Sequence, residues 1–154
     1  MLVIVWLHLL SVVTWMGGLL FGSHLVAPRL ARATEAERGL LGDLLRRFRL
    51  VAWMAITLLI VTGSINLAQL LRAAQPLEAG AGRLLALKLF LALIALYLAA
   101  HRDFALLPRL LRASSPQEAS RPLTTLRWFD RIVLLLLLAI LFLGLAVSRG
   151  IHGA

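Results

Sequence analysis

Few side chains in this sequence could do chemistry, and they sit in apolar surroundings: His8, Asn66 and Lys88, with His24, His101 and His152 behind them. Imidazole is a good ligand for copper, iron or zinc. An ammonium group is not, and suits an anion such as the propionate of a haem. The chain has no cysteine, which excludes disulfides, zinc–thiolate sites, iron–sulfur clusters and a thiol nucleophile. Met16 and Met54 are soft ligands that copper(I) could use, but their positions predict different depths. No hydrolase triad, phosphate loop or nucleotide fingerprint is present, so soluble-enzyme chemistry is not expected.

The elements that must position these groups follow from composition. The 154 residues are 61% hydrophobic, with a mean hydropathy of +0.92. A single domain of this size cannot hide that much apolar surface from water. A bilayer is the natural solvent, and helices satisfy their backbone groups locally there. The predicted fold is an all-α integral membrane bundle of four transmembrane helices, about 3–25, 50–71, 84–100 and 132–147, forming a single membrane domain over 1–154. Each segment approaches the ~20 residues that cross the hydrocarbon. The N-terminal segment lacks a basic leader and a small-residue cleavage site, so it reads as a retained helix.

The net charge of +9 is unevenly placed. Loops 28–49 and 101–131 hold twelve arginines, against Arg72, Arg83 and Arg149 on the other side. The positive-inside rule therefore predicts cytoplasmic basic loops and both termini outside. Anionic lipid headgroups are the expected partners of these arginines, and nucleic acid is not. Thr34 with Glu37 resembles a capping box, and Ser115-Pro116 with Glu118 a helix start. Both predict short amphipathic helices in the loops. No internal repeat stands out.

Two helix faces are rich in small residues, as close packing in a membrane requires. In the first helix His8, Ser11, Trp15, Gly18 and Gly22 form one stripe. In the third, Lys88, Ala92, Ala95 and Ala99 form another. His8 and Lys88 fall at a similar depth, roughly 6–8 Å below the outer boundary at ~1.5 Å per residue, and Asn66 lies near them. The three make a candidate polar cluster. The bland readings are that Lys88 snorkels outward, His8 bonds locally and Asn66 is interhelical glue. His24 and His101 share a depth at the opposite end, roughly 160° and 140° around from the inward stripes, where an interfacial role is expected. His152 is expected in a solvated tail that could fold back. The fourth helix reads as filler and lipid contact.

The run from His8 through Trp15 to Gly17-Gly18 resembles the first helix of the copper resistance protein D (CopD) family. Arg47 to Ala52 with Val61 to Asn66 resembles that family's next helix. Gly82 to Leu89, with His101-Arg102 and Leu107-Pro108-Arg109-Leu110, resembles the one after, although the family usually has Asn at the place of His101. The resemblance implies copper uptake or resistance across a membrane, with His8 as the first candidate ligand. The seven-residue step from His8 to Trp15, with Lys88, is also similar to the HemJ family of protoporphyrinogen oxidases, which implies haem b.

Copper handling is thus the first expectation, with His8 as ligand, then His101, His24 and His152, and with Lys88, Asn66, Arg83, Ser11 and Trp15 around it. The alternative is a haem b redox protein, an electron carrier or an oxidase, with Lys88 or Arg83 meeting the propionates. A structural subunit of a larger membrane complex, or a homo-oligomer, is the third. A transport or cofactor-binding role is expected over an enzyme, unless haem makes the protein an oxidoreductase.

Overall fold

The structure is a computed structural model that describes residues 2–30, 32–72, 79–113 and 115–152. Among them all regular structure is helical. Helix α1 runs Leu2–Phe21, passes through a π-helical turn Gly22–Val26 and ends in Ala27–Leu30. Helix α2 is Glu35–Arg72. Helix α3 runs Ala79–His101, passes through a second π-helical turn Arg102–Leu106 and ends in Leu107–Arg112. Helix α4 is Pro116–His152. All four are long and apolar enough to cross a membrane, so the chain is an all-α four-helix membrane protein.

The helices are longer than the apolar segments. No separate amphipathic helices form in the basic stretches. Residues 35–49 contain no proline, so α2 continues through them without a break, and α4 likewise starts at Pro116. The expected caps are there: Thr34 and Glu37 bond reciprocally, and the Glu118 N–H donates to Ser115 Oγ.

A repeat that the sequence does not advertise emerges from the geometry. Helix α1 packs chiefly along α2, and α3 chiefly along α4. The two π-helical turns begin 80 positions apart, at Gly22 and Arg102. Each is followed by proline, Pro28 and Pro108, in the sequence Pro-Arg-Leu. Proline has no N–H to give to the carbonyl four residues back and its ring crowds that carbonyl; a wider turn just before it relieves both. The caps Thr34–Glu37 and Ser115–Glu118 lie 81 apart, as do the buried Leu45 and Leu126. The chain is built of two helical hairpins of like form.

The interior has two apolar layers. Trp15, Leu19, Ile56, Ala95, Ala99, Val133 and Leu137 pack the middle of the bundle. Val26, Leu30, Leu45, Leu106, Leu107, Leu110 and Leu126 pack the arginine-rich end. The inward stripes expected on α1 and α3 are the ones buried, Ser11, Trp15 and Gly22 on one and Ala95 and Ala99 on the other. Large side chains such as Val13, Phe90, Leu93 and Phe142 lie exposed around the outside, where lipid is their solvent. Helix α4 supplies core residues, not only lipid contacts.

Candidate functional site

His8 projects from α1 onto α2. Its Nδ1 lies 3.0 Å from Thr62 Oγ1. The Thr62 hydroxyl has one proton, and it points back along its own helix, to Leu58 O at 2.7 Å with Leu59 O at 3.2 Å. Thr62 therefore accepts from His8. In the neutral imidazole this places the hydrogen on Nδ1 and leaves the lone pair of Nε2 available. Gly63 makes the approach possible, because a Cβ there would stand 3.2 Å from His8 Cε1.

Lys88 repeats this arrangement in the second hairpin. It lies on α3, 80 positions after His8, and packs against Gly144 of α4, 81 positions after Gly63. A Cβ on Gly144 would stand 3.2 Å from Lys88 Nζ. The Lys88 charge lies within Coulombic reach of the His8 imidazole. The two groups thus occupy equivalent places in the two hairpins, beyond the apolar middle layer.

The remaining expected residues scatter. Ser11 is buried but donates to Leu7 O of its own helix at 2.7 Å. Trp15 is a core residue. Asn66 is half-buried one turn beyond Thr62 and, among the described residues, makes no side-chain hydrogen bond. Arg83 is exposed. His24 is exposed within the π-helical turn, with Nδ1 2.8 Å from Ser23 Oγ. His101 is exposed between the rings of Tyr97 and Phe129. The side chain of His152 falls outside the described residues. Among the described residues, no group of three or more His, Cys, Asp or Glu side chains gathers to hold a metal ion. Thr62 is the partner that residue-type reasoning missed. Its signal was its place one helical turn before Asn66, on the same face of α2.

A second polar assembly sits at the other end. Arg102, counted by sequence as a loop arginine, is buried. Its Nε donates to Asp130 Oδ1 and its Nη1 to Asp103 Oδ1. Trp53 Nε1 donates to Asp103 Oδ2 at 3.0 Å, and Arg49 Nη1 to the Asp103 carbonyl at 3.4 Å. Trp53 thus ties α2 to this assembly. Asp130 is fully buried, and among the described residues its Oδ2 has no hydrogen-bond partner. The π-helical turn presents Arg102 and Asp103 inward together, and the absence of a side chain at Gly22 leaves room for the guanidinium, whose Nη2 would lie 3.5 Å from a Cβ there. The sequence signal was an adjacent acid and base next to a long apolar run, with a lone aspartate opening the next one.

A family model described as Copper resistance protein D matches residues 42–148. The match takes in most of α2, the whole of α3 and nearly all of α4. It leaves α1 and His8 outside. No curated protein and no solved structure matches the chain.

Proposed function

The chain belongs to the copper resistance protein D family, and from that premise we propose that it handles copper in a bacterial inner membrane, with His8 as the residue that meets the metal. The observation that supports this is the hydrogen bond from His8 Nδ1 to Thr62. It orients the ring and leaves Nε2 as a ready ligand, the usual role of a group that bonds the other nitrogen of a metal-binding histidine. Copper here is cargo. Among the described residues no group of three or more such ligands gathers here; a lone imidazole holds an ion only in passing, and a conducted ion must be released as readily as it is bound. The nearby Lys88 ammonium repels a cation and shortens its stay further.

The deciding experiment is metal analysis together with the absorption spectrum of the detergent-purified protein. Up to one copper per chain, without a Soret band, is the expected result. The same Lys88 charge favours a second reading, haem b with His8 as axial ligand and a propionate at Lys88. A Soret band lost in His8→Ala would establish haem and remove copper.

Two further outcomes are expected. Gly63→Val puts branched carbon where the His8 ring lies, so it lowers copper retention while helix content by circular dichroism stays unchanged. Full retention would show that the ring position does not matter. The arginine-rich ends face the cytoplasm in this reading. A reporter fused at the C-terminus is therefore active only outside the cytoplasm, and cytoplasmic activity would invert the orientation.

A further inference from the structure

The arginine-rich end carries two clefts, one within the second hairpin and one between the first hairpin and α4. The first encloses about 570 Å³ between the end of α3 and the start of α4, and Arg109, Arg112 and Arg121 line it with Glu118. The second encloses about 810 Å³ where the end of α1 meets the start of α2 and the flank of α4, and Arg29, Arg32 and Arg127 line it with Glu37. Arg29 and Arg32 are the repeat counterparts of Arg109 and Arg112, and Glu37 of Glu118.

The six arginines are exposed, and among the described residues none of them makes an ion pair. Each cleft sets three guanidinium groups against one carboxylate. In the second, that carboxylate is already held by Thr34, through its N–H and its hydroxyl. Guanidinium forks match the geometry of phosphate oxygens. The surroundings are those of a membrane boundary, because the clefts lie on the ends of spanning helices. Leu40, on the wall of the second cleft, is 73% exposed. An apolar surface beside a triple cation suits a ligand with a phosphate at one end and hydrocarbon at the other.

We propose that the two clefts are binding sites for the phosphate headgroups of anionic glycerophospholipids, one lipid to each cleft.

Native mass spectrometry of the detergent-purified chain tests this, with phosphatidylglycerol and phosphatidylcholine added at equal concentration. Up to two phosphatidylglycerols stay bound, in preference to phosphatidylcholine. Changing Arg109, Arg112 and Arg121 together to Gln leaves one, and changing Arg29, Arg32 and Arg127 as well leaves none. Each arginine removed weakens retention about fivefold, as an ionic contact at a membrane surface does. Lysine at the same three positions restores most of the retention, which separates charge from damage to the fold. Changing Arg46, Arg47 and Arg131 to Gln, an equal loss of charge outside the clefts, leaves both lipids in place. Equal loss in that control would reduce the effect to general basicity and overturn the proposal. So would indifference between the two lipids. Displacement by inorganic phosphate at matching concentration would assign the clefts to a soluble anion instead. None of these outcomes depends on copper or haem.

Discussion

Arg102→Met is expected to destabilise the protein by about 3–5 kcal/mol, the largest loss of any single substitution at the arginine-rich end. The guanidinium is the shared donor to Asp103 and Asp130, which lie on different helices. Without it two carboxylates face each other in a site closed to water, and desolvated charge without a partner is far costlier than a missing pair. Unfolding in mixed micelles, followed by circular dichroism, measures the loss. The triple variant Arg102→Met, Asp103→Asn, Asp130→Asn is expected to recover most of it, because the charges go together and the side-chain amide introduced at position 103 would still accept from Trp53. Asp130→Asn alone should cost less than about 1 kcal/mol, since Oδ2 forms no bond that could be lost and Oδ1 remains for Arg102. A tolerated Arg102→Met would mean that water reaches this assembly and that it does not hold α3 to α4.

The second large effect is on metal. His8→Ala is expected to lower the affinity of the purified protein for copper by at least about 100-fold, and Thr62→Val by about 10–100-fold through loss of the hydrogen bond that orients the ring. Equilibrium dialysis against copper, read on the metal bound at each free concentration, compares the two. Unfolding midpoints should barely move, because His8 is half-buried and contributes no core packing. Copper retained undiminished in His8→Ala would place the metal elsewhere and leave the family relationship without a site. A graded series, with Thr62→Val between the parent and His8→Ala, is the signature of an oriented ligand. It would not arise if His8 were a structural residue alone.

The architecture was legible because a bilayer reads composition coarsely. Four apolar runs of the right length, and arginines gathered on one side, need no knowledge of side-chain partners. The inward stripes on α1 and α3 were legible for a similar reason, since small residues every third or fourth position have one use in a membrane helix. Partnerships were harder. Thr62 is one polar residue in a helix that also offers Thr57, Ser64 and Asn66, and only the crossing of α1 over Gly63 selects it. Arg102 was misplaced for a definite reason. It follows His101 at the end of an apolar run, where regular helix geometry and the positive-inside pattern both send an arginine into a loop. The wider turn beginning at Arg102 brings it inward instead. The repeat stayed hidden because membrane helices exchange Leu, Ile, Val and Ala freely. What survives is spacing, and spacing became visible only when the two widened turns and the two glycines could be laid side by side.

The doubled hairpin has a consequence for how such a centre can specialise. A protein assembled from two separate copies of one hairpin must offer the same group twice across its axis, either two imidazoles or two ammoniums. Joining the copies in a single polypeptide lifts that constraint: each half can be altered without altering the other. An imidazole in one half and a lysine in the other is an asymmetry that identical halves could never present.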